Sequence, residues 1–159
     1  MVDMAKYFIG FLQEESCGKC IPCREGLRCM MAILERITKG NGKEGDIEAL
    51  NDLSMLMKES SLCALGQSAP NPVLTSIKYF PEEYDRHIFD KKCPAGVCTA
   101  LYEMDIVPEL CPGCMVCARN CPAGAITGEK QKPHVIDKSK CIKCDVCYSL
   151  CKFNAIKKS

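Results

Sequence analysis

The segment Cys111-Pro-Gly-Cys114-Met-Val-Cys117-Ala-Arg-Asn-Cys121 is repeated, with an offset of 30 residues, as Cys141-Ile-Lys-Cys144-Asp-Val-Cys147-Tyr-Ser-Leu-Cys151. Each copy has the spacing C-x2-C-x2-C-x3-C, which is typical of cysteines that ligate 4Fe–4S clusters. Three thiolates at this spacing fit one tight loop, and the fourth cysteine of each copy turns away toward the cluster of the other copy. The repeat therefore predicts two clusters with crossed ligation.

The crossed arrangement assigns four cysteines to each cluster. Cluster A is predicted on Cys111, Cys114, Cys117 and Cys151, and cluster B on Cys141, Cys144, Cys147 and Cys121. The pattern resembles the gene-duplicated, two-cluster ferredoxins of the bacterial type. One departure is Lys152, where the first copy has Pro122, and it concerns only the local backbone around Cys151. A zinc framework is the alternative, but zinc modules use two C-x2-C pairs per metal and leave the third cysteine without a role.

Composition limits the class of protein. Cysteine accounts for 15 of 159 residues, a density that would indicate a disulfide scaffold in a short secreted chain. The count is odd, and the first residues lack the charged and apolar regions of a signal peptide. No apolar run approaches the ~18 residues of a membrane span. We therefore expect a cytoplasmic protein with metal-bound thiolates in a reducing compartment.

Charge and aromatic content argue against binding of nucleic acid. The formal net charge is +1, and each 4Fe–4S cluster with all-cysteine ligation adds about −2. The two clusters of the repeat, together with a third expected in the N-terminal half of the chain, would shift the charge to roughly −5. The chain has no tryptophan, and its basic residues do not alternate with aromatic ones, so stacking platforms for bases are scarce. We expect no nucleic-acid partner.

Residues 1–90 are predicted to form an all-helical bundle with short loops. Apolar residues recur at helical spacing in 3–15 (Met4, Phe8, Phe11, Leu12), 27–39 (Leu27, Met30, Met31, Leu34, Ile37) and 47–59 (Ile47, Leu50, Leu53, Met57). Asp46 is expected to cap the third helix, and later helices are expected at 71–79 and from Pro81 onward. Gly40-Asn-Gly42-Lys-Glu-Gly45 matches the letters of a dinucleotide fingerprint, but the helix before it predicts a plain loop.

A third cysteine triplet lies between the first two helices, in Glu15-Ser-Cys17-Gly-Lys-Cys20-Ile-Pro-Cys23-Arg-Glu-Gly26. With Ser61-Leu-Cys63-Ala-Leu-Gly66, it resembles the C-terminal cluster domain of the flavin-bearing, NADH-oxidising subunit of respiratory complex I. The same domain occurs in NADH-linked formate dehydrogenases and multimeric FeFe hydrogenases. The resemblance covers residues 2–88 and implies a third 4Fe–4S cluster on Cys17, Cys20, Cys23 and Cys63.

The combination of this domain with a two-cluster ferredoxin is similar to the beta subunit of electron-bifurcating, NAD-linked FeFe hydrogenases. The resemblance implies that the domain for FMN and NAD lies N-terminal to Met1, so the chain would be a truncated or split form of such a subunit. It also implies other subunits of a multi-subunit oxidoreductase or hydrogenase, and possible exchange with soluble ferredoxin. Nothing in the chain itself is expected to bind FMN or NADH.

Three cysteines remain outside the clusters, and with one histidine they predict a further metal site. Cys29, His87, Cys93 and Cys98 would complete a Cys3His site for zinc and clamp a connector, residues 91–107, onto the bundle. Two alternatives remain open: Cys29 is a buried apolar residue, or Cys93 and Cys98 hold part of a 2Fe–2S cluster. His134 is expected on the surface of a ferredoxin strand.

These predictions define an α plus small α+β fold: a helical bundle over 1–90, a connector over 91–107 and a two-cluster ferredoxin domain over 108–159. The function they favour is an electron relay without a catalytic site, in which Lys19, Arg24 and Lys143 raise local potentials unless they are ordinary solvated charges. A metal-stapled docking module without a redox role is the alternative. A catalytic iron–sulfur enzyme is disfavoured because the spacing C-x3-C-x2-C of radical enzymes does not occur.

Overall fold

The computed structural model describes residues 1–159, which divide into two units, Met1–Leu101 and Tyr102–Ser159. The first unit is helical, and the second combines short strands with two short helices. This is the α plus small α+β composition that the sequence predicts. None of the helices is both long and apolar enough to cross a membrane.

The helical unit contains six α-helices and one short 3-10 helix. They are α1 (Val2–Glu15), α2 (Ile21–Thr38), α3 (Asp46–Ser60), α4 (Ala64–Ser68), α5 (Asn71–Tyr79) and α6 (Pro81–Ile88), followed by the 3-10 helix Thr99–Leu101. Helix α2 packs against both α1 and α3, and α5 packs against the same two helices. Helix α2 begins six residues earlier than expected because Pro22 is favourable in a first turn, so Cys23 lies within the helix.

The core of the helical unit runs along one stripe of α2. Leu27, Met30 and Leu34 have no exposed surface, as their helical spacing predicts. On α1 the inward residues are instead Val2, Ala5 and Ile9. The larger apolar side chains of α1 lie on its outer side: Met4, Phe8 and Phe11 are 43–51% exposed. The apolar spacing thus locates the helix, but it does not identify the buried face.

The loop between α2 and α3 contains the glycines of the apparent dinucleotide fingerprint. It joins two helices with no strand beside it, so the prediction of a plain loop is confirmed. Gly45 occupies the N-cap position with a φ of 89°, and Asp46 is the first residue of α3 rather than its cap. The buried Asp46 carboxylate accepts hydrogen bonds from the Arg36 guanidinium and, at 2.9 Å, from the Lys43 amide.

The second unit has two antiparallel strand pairs, two short α-helices and the 3-10 helix Pro108–Leu110. Strand β1 (Met104–Ile106) pairs with β4 (Ile156–Lys158), and β2 (Ile126–Thr127) pairs with β3 (Val135–Ile136). Helices α7 (Val116–Arg119) and α8 (Val146–Leu150) follow the two cysteine triplets. The register places Ile106 opposite Ile156 and Ile136 opposite Ile126, so the 30-residue repeat is also a repeat of structure.

The boundary between the units falls inside the segment 91–107. Residues 91–101 belong to the helical unit: Lys91 Nζ donates to the Gly42 carbonyl at 2.6 Å, and the Cys93 amide donates to the Leu101 carbonyl at 3.0 Å. Strand β1 belongs to the second unit through its pairing with β4. The expected connector is therefore divided between the two units.

Candidate iron–sulfur and metal sites

Two cavities in the second unit are each lined by four cysteines. Cavity A is lined by Cys111, Cys114, Cys117 and Cys151. Cavity B is lined by Cys141, Cys144, Cys147 and Cys121. Each cavity thus combines the triplet of one repeat with the last cysteine of the other.

The backbone of the triplets creates these cavities. Met115 and Asp145, directly before α7 and α8, have φ values of 65° and 60°, in the left-handed region. Gly113 also has a positive φ, and a side chain there would collide with the backbone of Lys132. The turns reverse the chain within a few residues, so that all three sulfur atoms of a triplet line the same cavity.

The cavity walls combine apolar side chains with backbone N–H groups. Ile106 and Ile156 line cavity A, and Ile126 and Ile136 line cavity B. Burial raises the pKa of the Cys147 thiol to about 11, and it raises the pKa of Cys117 as well. The Ala125 amide donates to Cys121 Sγ at 3.3 Å. Four thiols, an apolar wall and N–H···S bonds form a donor set that fits a 4Fe–4S cluster in each cavity.

In the helical unit, the third triplet lies at the N-terminus of α2. Cys17 and Cys20 precede the helix, and Cys23 is buried in its first turn. Cys63, in the N-cap position of α4, is exposed. The pKa of Cys20 is lowered, chiefly by a hydrogen bond from the Leu62 amide. That bond connects the triplet to the segment that carries Cys63.

A buried hydroxyl beside this triplet has no partner. Ser61 is 4% exposed, and its Oγ makes no hydrogen bond. A Cβ at Gly66 would lie 2.6 Å from the Ser61 Cβ and 3.1 Å from the Cys23 Cβ, so only glycine permits this approach. An unpaired buried donor is costly unless an acceptor is supplied. The sulfur atoms of a cluster would supply one, and the residues therefore fit such a group.

Three further metal-binding side chains converge at the end of α6. The ligand atoms of His87, Cys93 and Cys98 all lie within 4.8 Å of one another, and His87 Nε2 is 3.5 Å from Cys98 Sγ. Nδ1–H of His87 donates to the Glu83 carbonyl at 2.6 Å, so the lone pair lies on Nε2, the nitrogen that could bind a metal. A carbonyl partner on the other ring nitrogen is typical of metal-binding histidines.

Burial and backbone hydrogen bonds shift the pKa values of these three residues. Burial lowers the pKa of His87, which favours the neutral imidazole that binds metals. Burial also raises the pKa of Cys98, to about 12. Burial acts to raise the pKa of Cys93 too, but the amides of Cys98, Val97 and Ala95 outweigh it and the net pKa is lowered.

Comparison with known proteins agrees with this geometry. Residues 3–87, more than half of the chain, match the family described as the NADH-ubiquinone oxidoreductase-F iron-sulfur binding region. The chain belongs to this family. Residues 110–155 match the 4Fe-4S dicluster domain, and this range contains all eight cysteines of the two cavities.

Individual relatives match either nearly the whole chain or about half of it. The NADP-reducing hydrogenase subunit HndC of Solidesulfovibrio fructosivorans is 50% identical over 156 residues, which are 98% of this chain and 32% of the relative. The F subunit of NADH-quinone oxidoreductase from Streptomyces coelicolor is 45% identical over 84 residues, 53% of this chain and 19% of the relative. The F subunit of the Escherichia coli oxidoreductase is 38% identical over 89 residues, 55% of this chain and 20% of the relative. The chain spans about a third or less of the length of these relatives. The resemblance to the complex I flavoprotein subunit and to a hydrogenase subunit is confirmed.

Cys29 is not brought to the group formed by His87, Cys93 and Cys98. Its side chain is exposed on α2, because the inward face of that helix is taken by Leu27 and Met30. The alternative interpretation of Cys29 as a buried apolar residue is therefore wrong. Three of the four side chains expected at the metal site converge, and Cys29 does not.

The prediction that His134 lies on the surface is also wrong. The residue is 2% exposed, directly before β3, and its ring lines cavity A. Alternation along the strand explains this: Ile136 is buried and Val135 is exposed, so the residue two positions before Ile136 also points inward. That period is present in the sequence, but a two-residue strand is too short to identify by pattern.

Proposed function

We propose that the chain relays single electrons through three 4Fe–4S clusters, between a flavin site that reacts with NAD(H) and partner iron–sulfur clusters or a ferredoxin. The observation that carries the proposal is the division of eight cysteines into two cavities, each with three cysteines of one repeat and one of the other. When bound, such clusters accept and release one electron at a time, at potentials set by their surroundings. Membership of the iron-sulfur binding family of the NADH-oxidising subunits supports the same role.

The protein's residues serve to hold and insulate the clusters. Four cysteines per site would saturate all four irons, which leaves no open position for a substrate. Apolar walls limit access of water, and N–H groups stabilise negative charge on sulfur. Near the third triplet, Arg24 Nη1 donates a hydrogen bond to the Gly18 carbonyl at 2.8 Å. Arg24 therefore stabilises the loop as well as contributing a positive charge. Lys19 and Lys143 remain proposed as charges that raise the local potential.

The third cluster is proposed on Cys17, Cys20, Cys23 and Cys63. Support comes from the hydrogen bond between the Leu62 amide and Cys20, and from the unpaired Ser61 hydroxyl beside Cys23. The ligand set itself rests on the family resemblance.

A zinc ion is proposed on His87, Cys93 and Cys98. Tetrahedral zinc takes imidazole and thiolate ligands at about 2.0–2.3 Å, so ligand atoms within 4.8 Å of one another suit a single ion. The ion would fasten the turn after α6 to that helix. Because Cys29 is not in the group, the fourth position would be filled by another donor.

Partners are proposed from the relatives. Their names describe subunits of an NADP-reducing hydrogenase and of NADH-quinone oxidoreductases. We propose that this chain likewise works within a multi-subunit oxidoreductase or hydrogenase, and that FMN and NAD bind outside residues 1–159.

The test is metal content with ligand replacement, on protein purified anaerobically. We expect roughly twelve irons and twelve sulfides per chain, reducible by dithionite. Cys121→Ser should disturb cluster B, although Cys121 adjoins the triplet of cluster A. Cys151→Ser should disturb cluster A. Cys63→Ser should affect neither cluster A nor cluster B. Loss of cluster A in Cys121→Ser would contradict the crossed ligation. Zinc without iron would favour the metal-stapled docking module instead.

The zinc proposal has a separate test. Elemental analysis should find about one zinc per chain, and Cys98→Ser should release it without bleaching the iron–sulfur absorption. Cys29→Ser is the matched control, because the exposed Cys29 lies outside the group, and it should retain zinc. Zinc-free protein with all clusters present would rule the site out.

A further inference from the structure

His134 and Met104 occupy equivalent positions in the two halves of the second unit. Ile106 pairs with Ile156, and Ile136 pairs with Ile126, so Ile106 and Ile136 hold equivalent positions 30 residues apart. The same offset of 30 residues relates Met104 to His134. Both side chains are 2% exposed. Met104 lines cavity B, and His134 lines cavity A. One half of the repeat therefore places an imidazole where the other half has an apolar thioether.

The imidazole of His134 is held between two sulfur atoms. Nδ1 lies 3.8 Å from Cys111 Sγ, and Nε2 lies 3.0 Å from Met115 Sδ. Gly128 packs against the ring, since a Cβ there would be 2.7 Å from both the Cδ2 and the Cγ of His134. The ring has little freedom to turn away from Cys111.

The two sulfur atoms are not equal as hydrogen-bond acceptors. A buried imidazole needs a partner for its N–H, and a thioether is a weak acceptor. The Cys111 sulfur is a thiolate when it ligates a cluster, and hydrogen bonds to a charged acceptor are roughly twice as strong as neutral ones. The tautomer with the proton on Nδ1 is therefore favoured.

We propose that His134 donates a hydrogen bond from Nδ1 to the Cys111 thiolate and thereby raises the reduction potential of cluster A. This inference rests on the proposed function, since it requires a cluster in cavity A. A hydrogen bond to a ligand sulfur stabilises the reduced cluster, which carries one more negative charge, more than the oxidised cluster. His134 is a positioning residue, and Met104 cannot act in the same way on cluster B because a thioether donates no hydrogen bond.

The repeat supplies a reciprocal pair of variants, His134→Met and Met104→His, each of which copies the side chain of the other half. Redox titration of the full chain, followed by EPR, gives the midpoint potentials of the variants and of the unmodified protein. For His134→Met, we expect the midpoint potential of one couple to fall by about 59 mV. For a one-electron couple this corresponds to an equilibrium shifted about tenfold toward the oxidised form. Met104→His should raise the potential of a different couple. An unchanged or raised potential in His134→Met, at full iron content, would overturn the inference.

A spectroscopic measurement keeps the test decisive if His134→Met does not assemble its cluster. The chain has only two histidines, so pulsed EPR on protein labelled with ¹⁵N-histidine should detect one nitrogen coupled to a reduced cluster. The coupling should persist in His87→Gln, and its absence from the unmodified protein would reject the hydrogen bond. Iron content separates the two failures: a chain without iron contradicts the proposed function, whereas full iron without the nitrogen coupling contradicts only the role of His134.

Discussion

The helical unit Met1–Leu101 fills its interior with apolar side chains, whereas the unit Tyr102–Ser159 surrounds two cysteine-lined cavities. The larger core draws on α1, α2, α3, α5 and α6, and most of its buried residues are aliphatic. The smaller core has seven buried residues, and two of them, Cys117 and Cys147, are proposed ligands. A unit this small has little apolar surface to bury. Metal binding should therefore decide the folding of one unit but not of the other.

Removal of iron should have the largest effect on this comparison. Treatment with a chelator and an oxidant should unfold residues 102–159 completely, because the cavity walls lose the group they surround. The helical unit should retain its core. Limited proteolysis with mass spectrometry should show cleavage within 102–159 and protection of α1–α3, with untreated protein as the control. Equal protection of both units after treatment would contradict the comparison.

Truncation of the helical core should have the second largest effect. Met30 has no exposed surface, and Met30→Ala should lower the free energy of unfolding of the helical unit by about 2–5 kcal/mol. The EPR signals of clusters A and B should not change. Met55→Ala is the matched control, because Met55 is 51% exposed and its loss should change stability by less than about 0.5 kcal/mol. Urea denaturation followed by circular dichroism measures both variants.

The partly buried ion pair of Arg36 with Asp46, between α2 and α3, should contribute less to stability than the apolar core. Asp46→Ala removes the acceptor for Arg36 and for the Lys43 amide and should cost about 1–3 kcal/mol. Glu35→Ala is the control: its partner Lys39, at 2.8 Å, is an exposed residue one turn further along. That variant should show no measurable change in the denaturation midpoint. Equal effects of the two variants would show that burial of Asp46 is unimportant.

Tyr84 should give the smallest effect, with a characteristic dependence on pH. Its hydroxyl forms a hydrogen bond with the Ser76 hydroxyl at 2.7 Å. Tyr84→Phe should therefore lower the free energy of unfolding by about 1 kcal/mol at neutral pH. Burial raises the pKa of Tyr84 to about 12 in the folded protein, from an ordinary value of 10. The unfolded chain ionises first, so the unmodified protein loses stability relative to Tyr84→Phe as pH rises from 10 to 12. The difference in unfolding free energy should therefore shrink and then reverse sign over that range, because a pKa raised from 10 to about 12 outweighs about 1 kcal/mol. A constant difference would contradict the assigned pKa.

Local patterns are sufficient to predict most of the secondary structure. The expected helix at 71–79 agrees with α5, and the helix expected from Pro81 agrees with α6. The expected start of α2 at residue 27 is too late because the pattern treats the whole cysteine triplet as a loop, whereas Cys23 lies within the helix. Proline in a first turn and apolar spacing are local signals, which is why these elements can be predicted without tertiary information.

Residue spacing along short segments is enough to define the helical part, the ferredoxin-like part and the three cysteine triplets of this protein. The identity of the inward-facing side chains depends instead on how the chain packs in three dimensions. Packing turns Val2, rather than Met4, into the core, leaves Cys29 exposed, and places His134 against Cys111. Burial is created by contacts between distant segments, and this is why spacing does not specify it. His134 lies 23 residues from Cys111 in the chain, and no local pattern in the sequence reports that contact.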